Sequence, residues 1–428
     1  MNSFKTEPRC ALTLALLMTG WMGGVQAQTS TAVEAAEGQS PVSLPFGECG
    51  AGYWSSNRNL DDKTEFGSVQ CQLNWRPKLG EDLRLGVSLR VGSQDVRASD
   101  GASQRLREGY LDFDTSVLSV RLGRQLIAWG RADRINPTDS LSPRDFTLLT
   151  PDDELQRNGI DAVKLRFALG TATSVTGVVT QFSPHVTPQG ANPSNLVKPD
   201  NPTAPEWALK LDHSSGGVDW SVSYFDGFER SIRYQLDSRN PKAPVFRGDF
   251  ERVQKIGGDF ATAQGAWTWR GEFAHSKLML GCALCVPAER ALTSLVLGGD
   301  VDFLETMNVN VQLFANWRDS FVEPNGPPGL QQTLAQGLNR LNSEYAGRDV
   351  GLTFRLSDRL LNDRLKWELS AVLDLTGQSS VIRPRLTYSF NDKLRLNAGF
   401  DIFDGPSQSY FGTLNKNTLA FVTLNWVF

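Results

Sequence analysis

Residues 418–428 read TLAFVTLNWVF, and their side chains fall into two alternating sets. The first set is Ala420, Val422, Leu424, Trp426 and Phe428. The second set is Leu419, Phe421, Thr423, Asn425 and Val427. Successive side chains of a β-strand point to opposite faces, so this period of two predicts a strand. Aromatic residues near its end are typical of a strand that crosses a membrane.

The same alternation recurs upstream and predicts eighteen strands. They are expected at 46–54, 66–76, 82–92, 105–114, 116–127, 159–169, 171–183, 206–214, 217–228, 250–262, 264–277, 291–303, 306–318, 347–358, 363–376, 379–390, 393–404 and 417–428. Strand 46–54 has the weakest pattern, so sixteen strands is the alternative.

The connections between these strands alternate in length. Every second connection is short, and the long ones on the other side include 128–158, 184–205, 229–249 and 319–346. This pattern predicts an all-β fold, a transmembrane antiparallel up-and-down β-barrel over 46–428 with short periplasmic turns and long extracellular loops. A soluble β-sandwich shares the alternation but has no reason to separate its connections by length.

The N-terminus predicts export. Lys5 and Arg9 precede an apolar stretch at 11–18, and small residues follow up to Ala27. We therefore expect residues 1–27 to be a cleaved signal peptide and 28–45 to be a periplasmic tail. Together with the barrel, this indicates the bacterial outer membrane.

Composition excludes several classes. The chain has 43 Lys and Arg against 47 Asp and Glu, a net charge of −4, so nothing indicates nucleic-acid binding. After the N-terminus no apolar run approaches the ~20 residues of a membrane-spanning helix. Three separate histidines predict no metal site, and no cofactor motif is present. His213-Ser214-Ser215 has a His-x-Ser spacing, but a Ser-Gly-Gly turn explains it, so we expect no enzyme.

Two motifs carry a family resemblance. Asn425-Trp426-Val427-Phe428 resembles the aromatic-ended signal that the barrel assembly machinery recognises in Gram-negative outer-membrane proteins, which assigns that role to Trp426 and Phe428. Gly123-Arg124-Gln125, Trp129-Gly130-Arg131-Ala132-Asp133 and Asn136-Pro137-Thr138-Asp139 resemble a segment of porin-like outer-membrane families, the alginate-export type among them. The resemblance implies a barrel and assigns no substrate.

Alternation also predicts which charges face the lumen. The candidate pore-lining cations are Arg355, Lys366, Arg383, Arg385 and Arg395. They fall on four consecutive strands and would form a basic stripe that guides anions. Alternatively, they pair across strands with Glu368, Asp374 and Asp401.

Loop 128–158 is the longest connection and the most charged. Its candidate constriction residues are Arg131, Asp133, Arg134, Asp139, Arg144 and Asp145. Apolar residues such as Trp129 and Phe146 favour an inward-folded constriction over an external solvated flap. Just before the loop, Arg124 falls on the lipid-facing parity, so either a bulge near Gly123 resets the strand or Arg124 lies at headgroup level.

The cysteines give a test of register. If 46–54 and 66–76 form a hairpin closed around residue 60, paired positions sum to 120 and Cys49 lies opposite Cys71, within disulfide range. Two free thiols are the alternative. Cys282 and Cys285 lie in an external loop, where a local disulfide is favoured over a redox motif or a zinc site.

These observations predict a porin-like channel for a polar or anionic solute, narrowed by loop 128–158. The alternative is a plugged barrel that serves as a structural or export component for a surface polymer or lipid. The expected partners are outer-membrane lipid, lipopolysaccharide and the barrel assembly machinery.

Overall fold

The computed structural model describes most of the barrel. The described residues are 44–56, 64–93, 103–186, 196–237, 245–279, 289–304, 306–319, 321, 323 and 329–428. The predicted signal peptide, nearly all of the predicted tail, and Cys282 and Cys285 lie outside these ranges.

The described structure contains twenty-one strands, one α-helix and two short 3-10 helices, Asp153–Gln156 and Gly412–Asn417. The strands are β1 Phe46–Ser56, β2 Glu65–Trp75, β3 Leu83–Ser93, β4 Ser103–Asp114, β5 Leu118–Gln125, β6 Ile160–Leu169, β7 Thr173–Thr180, β8 Leu196–Val197, β9 Glu206–Ser215, β10 Val218–Phe228, β11 Arg233–Asp237, β12 Val245–Asp249, β13 Arg252–Gln264, β14 Trp267–Met279, β15 Glu289–Phe303, β16 Met307–Arg318, β17 Arg348–Leu360, β18 Leu365–Asp374, β19 Ser379–Ser389, β20 Leu394–Asp404 and β21 Leu419–Val427. The helix, α1, is Leu330–Leu341.

Eighteen of the strands form one closed antiparallel barrel, and β8, β11 and β12 form a separate small sheet. Each barrel strand pairs with its neighbours along the chain, and β1 closes the cylinder against β21, with Glu48 opposite Val427. The predicted count of eighteen is confirmed and sixteen is wrong. Predicted strand ends differ from the observed ones by three residues at most, as at Trp267, where the prediction began at 264.

The predicted alternation of connection lengths is also present. Eight short connections lie at one end of the barrel, which we call the short-turn end. Their lengths range from that of the pair Gly216 and Gly217 to that of the stretch 76–82. Both glycines have positive φ, 68° and 83°, as the tight hairpin turn predicted from Ser-Gly-Gly requires. The long connections, including 126–159 and 319–347, lie at the opposite, long-loop end.

The barrel is apolar outside and polar inside. On β16, Val311 and Leu313 are 42% and 45% exposed. Asn310 and Gln312, which alternate with them, are each 1% exposed. Large exposed aromatic residues lie near the short-turn end, among them Trp75, Trp220, Trp267, Trp426 and Phe428. This inverts the polarity of a water-soluble protein and is typical of a barrel whose outer surface meets lipid. Among the described residues, no helix is both long and apolar enough to cross a membrane.

The first hairpin carries the predicted disulfide. Cys49 and Cys71 are register partners and are bonded to each other. In every register pair of β1 and β2, from Phe46 opposite Asn74 onward, the two residue numbers sum to 120 as predicted. The free-thiol alternative is therefore wrong for these two cysteines.

Three long connections pack together at the long-loop end into what we call the cap. Tyr234, Phe246 and Leu341 form its buried apolar cluster, with β8 and further leucines of α1 packed against it. The side chain of Asn342 accepts a hydrogen bond from the N–H of Tyr234 at 2.7 Å and donates to its carbonyl at 2.9 Å. The Asn342 side chain thereby satisfies the backbone N–H and carbonyl of Tyr234, as a residue on a neighbouring strand would. No sequence pattern predicted this cap.

One irregularity of the barrel lies beside connection 126–159. The register of β3 against β4 shifts between Ser88 and Leu89, which leaves Arg107 as an unpaired extra residue. Pairing of β5 with its neighbours shows no such shift at Gly123, so the bulge proposed there is wrong. Arg124 stays on the outer face and forms an exposed bidentate pair with Asp161.

Candidate functional site

Segment 128–158 meets polar side chains of the barrel wall on one side through Arg131. This guanidinium forms ion pairs with Asp259 of β13 and, at 3.5 Å, with Asp212 of β9. Trp129 contributes its ring face to Lys210, whose ammonium lies 5.9 Å from the ring centroid and 2.8 Å from Asp212. The segment therefore presents a cation to a wall that carries carboxylates.

The next residues reach strands β17 and β18. The carboxylate of Asp133 lies 3.3 Å from Arg355, and Arg134 lies 3.2 Å from Glu368. Further along, Asp153 accepts a hydrogen bond from Arg383 of β19 at 2.5 Å. The partners in these contacts are far apart in the sequence: more than two hundred positions separate Arg134 from Glu368 and Arg383 from Asp153. No local sequence pattern could therefore predict them.

The end of the segment contacts β2, β3 and β4. Gln70 donates to the carbonyl of Leu149 at 3.0 Å, and Arg90 donates to the carbonyl of Leu155. The bulged Arg107 donates to the carbonyls of Arg157 and Glu154 at 3.0 and 2.8 Å. The bulge explains why two consecutive residues, Arg107 and Glu108, both point to the inside of the barrel, which the simple alternation of β4 excludes. Glu108 is buried and accepts a hydrogen bond from the Leu126 N–H at 2.9 Å.

Apolar contacts complete the packing of segment 128–158. Ala132 and Ile135 join a buried cluster with residues of β15, β16 and β18–β20. Trp129 and Leu141 join a second cluster, with residues of β6, β7, β9, β10, β13 and β14. Leu149 packs against a third, which consists of Trp54, Phe66 and Phe421. Strands on all sides of the barrel therefore contact the segment.

Ion pairs within the segment and to the wall account for the rest of the predicted constriction residues. Arg157 pairs with Asp139 and, at 3.1 Å, with Glu154, which also pairs with Arg144 at 3.2 Å. Asp145 pairs with Arg105 of β4. Thus Arg131, Asp133, Arg134 and Asp145 contact the wall, whereas Asp139 and Arg144 hold the segment itself together.

Burial changes the titration of several groups here. Burial raises the pKa of Asp152 to about 6, although the hydrogen bond that its carboxylate accepts from the Glu154 N–H acts to lower the pKa. Burial, with the charges of Arg230 and Arg144 nearby, lowers the pKa of His185 to about 3. A neutral His185 suits its contact, because Nδ1 accepts a hydrogen bond from the Arg144 N–H at 2.8 Å.

The predicted basic stripe is mostly neutralised. Arg355 meets Asp133, Arg383 meets Asp153 and, at 3.1 Å, Asp401, and Arg385 also meets Asp401. Lys366 and Arg395 are exposed and take part in no ion pair among the described residues. Of the two interpretations, cross-strand pairing holds for Asp401, whereas Glu368 binds Arg134 of the segment and Asp374 accepts from Gly377 and Ser379.

The remaining sequence candidates lie elsewhere. Phe428 exchanges two backbone hydrogen bonds with Gly47, and its ring stacks on Trp426 at 4.9 Å, both at the closing seam of the barrel. His213 lies at the short-turn end of β9, where Thr173 binds its Nδ1 at 2.8 Å and Ser214 binds Asp219. These partners lie on β7 and β10 next to hairpin turns, and not on segment 128–158.

Comparison with known proteins supports the fold. No family model and no curated protein sequence matches this chain. OccAB1 of Acinetobacter baumannii has a TM-score of 0.55 at 12% identity, over 92% of this chain and 99% of that one. OccK2 (OpdF) of Pseudomonas aeruginosa has a TM-score of 0.52 at 11% identity, over 91% and 98%. At such low identity these similarities show the barrel fold alone.

Proposed function

We propose that this chain is a bacterial outer-membrane channel of the porin type, and that segment 128–158 is the constriction through which a polar or anionic solute passes. One observation carries the proposal. A closed eighteen-stranded barrel exposes apolar residues outside and buries charged residues inside, and the segment contacts those inner residues. A barrel of this size encloses space for water unless loops fill it.

Several further points support the proposal. The structural similarity to OccAB1 and OccK2 extends over nearly the whole of each chain and supports the barrel fold that a channel requires. The polar groups near the segment carry both signs of charge, and Lys366 and Arg395 add exposed cations toward the short-turn end. Such a lining selects solutes by size and charge without a chemical reaction. We also propose that the chain is related to the porin-like families that include the alginate-export type, and that it is not an enzyme.

A second candidate is a plugged barrel that serves as a structural or export component for a surface polymer or lipid. The three apolar clusters favour it, because they pack segment 128–158 against strands on every side of the barrel. Well-packed apolar contacts resist displacement more than exposed ion pairs do.

Conductance distinguishes the two candidates. Purified barrel, reconstituted in a planar bilayer, should give stepwise current increases in potassium chloride, and a salt gradient should give a reversal potential of the anion-selective sign. Absence of steps from barrel that is folded, as shown by its heat-modifiable migration, would refute the channel and support the plugged barrel. A reversal potential of the cation-selective sign would refute the anionic solute alone.

The expected surroundings complete the proposal. A barrel in the outer membrane contacts phospholipid on the periplasmic side and lipopolysaccharide outside, and it requires the barrel assembly machinery for insertion. The exposed aromatic residues near the short-turn end suit the first of these interfaces. The outward pair of Arg124 and Asp161, at the long-loop end, suits the headgroup level of the second.

A further inference from the structure

We infer that Glu272 is the positioning residue that fixes segment 128–158 across the barrel, and that the motif of residues 129–139 folds as a cradle for its carboxylate. This inference rests on the proposed constriction, and it explains why that constriction would have one fixed position.

Glu272 lies on β14 and is 2% exposed. Its Oε1 accepts hydrogen bonds from the backbone N–H groups of Arg131 and Ala132, each at 2.6 Å. Its Oε2 accepts from the hydroxyl of Thr138 at 3.0 Å and from the Thr138 N–H at 3.4 Å. One wall carboxylate therefore binds both ends of a short turn.

Two further residues of the motif fit the same carboxylate. Gly130 has a φ of +101°, and a Cβ at this position would lie 2.5 Å from Oε1 of Glu272. Only glycine meets both conditions without strain. With the amide of Asn136 turned to satisfy its oxygen and nitrogen, its nitrogen donates to Oε1 at 3.2 Å and to the Ala132 carbonyl at 2.7 Å.

The difference from the other wall contacts lies in what is bound. Asp259 and Glu368 bind arginine side chains, whose length allows the backbone of the segment to move. Glu272 binds the backbone itself. A buried carboxylate with several N–H donors makes strong charge-assisted hydrogen bonds, and without them it would be costly to bury. The wall and the turn therefore stabilise each other's position.

The test uses Glu272→Ala and, independently, Gly130→Ala, which places a methyl group where the carboxylate lies. In folded barrel, we expect trypsin to cleave after Arg131 and Arg134 about tenfold faster than in the wild type, because charge-assisted hydrogen bonds are lost. Single-channel current should become larger or noisier. The matched control is Glu251→Gln, which removes a carboxylate that is 3% exposed but binds Arg290 of β15 and Arg233 of the cap, and not segment 128–158.

The outcomes separate this inference from the proposed function. If the wild type conducts and both variants keep its trypsin protection and its current, Glu272 is not the positioning residue, while the channel stands. If trypsin reaches the segment in both variants but no protein conducts, Glu272 positions the segment of a barrel that is not a channel. If Glu272→Ala fails to show heat-modifiable migration, Gly130→Ala decides.

Discussion

At the scale of single residues, two arginines of the predicted basic stripe find carboxylates on segment 128–158. Arg355 and Arg383 bind Asp133 and Asp153, which alternation alone could not reveal. Alternation fixes the face to which a strand residue points, but the partner comes from a connection whose path depends on packing. The sequence thus located these arginines on the inner face and left their neutralisation open.

Removing the two acids should expose the basic stripe. In Asp133→Asn with Asp153→Asn, the lining loses two negative charges: Arg355 loses the Asp133 carboxylate, and Arg383 loses Asp153 but keeps Asp401. The channel should therefore favour anions more strongly than the wild type. A unit charge about 8 Å from an ion in water changes its energy by about 0.5 kcal/mol, roughly a twofold change in ion concentration for each charge. The reversal potential in a potassium chloride gradient measures this change. The control is Asp161→Asn, which removes one negative charge on the outer face, and a shift in that control as large per charge as in the double variant would contradict the prediction.

At the scale of elements, the hairpin of β1 and β2 shows how a local pattern fixes register. The sum of 120 followed from the turn position alone, and the disulfide of Cys49 with Cys71 agrees with it. The bridge lies on the outer face, on the parity of the exposed Tyr53 and Val69. It therefore constrains the strand that must also close the barrel.

Loss of this disulfide should destabilise the barrel. The bonded cysteines are 22 positions apart, and loop-closure entropy for a loop of that length gives about 3 kcal/mol. We expect Cys49→Ser with Cys71→Ser to unfold at lower urea concentration in lipid vesicles, as measured by tryptophan fluorescence. Reduced wild type should match the variant. Equal midpoints for oxidised wild type and variant would show that the bridge adds no stability.

The cap contains a second element-scale device, the ion pairs of Glu344. Glu344 accepts hydrogen bonds from Arg233 at 2.7 Å and from Arg290 at 2.8 Å. Burial alone would raise the pKa of Glu344, but the two guanidinium groups lower it to about 2. Because the pKa in the folded cap lies below the ordinary value of 4.5, the stabilisation is complete above pH 4.5 and is lost as the pH falls toward 2.

Glu344→Gln should remove this pH dependence. At neutral pH the variant should lower the opening free energy of the cap by about 2 kcal/mol, the usual value of hydrogen bonds to a charged group. Hydrogen exchange of the α1 amides, corrected for intrinsic rates, measures both effects. The control is Glu289→Gln, whose exposed pair with Lys277 should contribute little. A wild-type profile that stays flat between pH 4.5 and 2.5 would contradict the assignment.

Barrel strands and cap elements also differ in how far the sequence predicts them. Each barrel strand carries its own alternation because one face meets lipid and the other meets polar groups, so all eighteen were recognisable. Helix α1 carries only a helical spacing of Leu334, Leu338 and Leu341, and its partners Tyr234 and Phe246 come from other connections. The two residues of β8 are too few for any period. Similarly, the alternation of β14 predicts that Glu272 faces the inside of the barrel, but only the folded segment reveals the hydrogen-bond donors that bind it.

At the scale of the whole molecule, the seam between the first and last strands closes the barrel. Gly47 donates to the Phe428 carbonyl at 2.8 Å, and the Phe428 N–H donates to the Gly47 carbonyl at 3.0 Å. Phe428 is therefore both the predicted assembly signal and a backbone partner in the seam.

Two variants separate these roles. Deletion of Phe428 removes the ring and both backbone hydrogen bonds, whereas Phe428→Ala removes only the ring. If the ring is the assembly signal, both variants should accumulate as unfolded protein in the periplasm, after normal secretion. Heat-modifiable barrel in the outer-membrane fraction measures the outcome. Normal assembly of Phe428→Ala with failure of the deletion would assign the requirement to the seam.

The pairing of Glu48 with Val427 also dictates when the fold can be completed. The free edge of β1 finds its partner only after the final strand has been synthesised, so the cylinder cannot close during synthesis. Contacts between distant parts of a chain are slow to form, and a strand edge left open meanwhile is a template for aggregation. The chain whose β1 edge is still open is therefore the form of this barrel that is most exposed to aggregation.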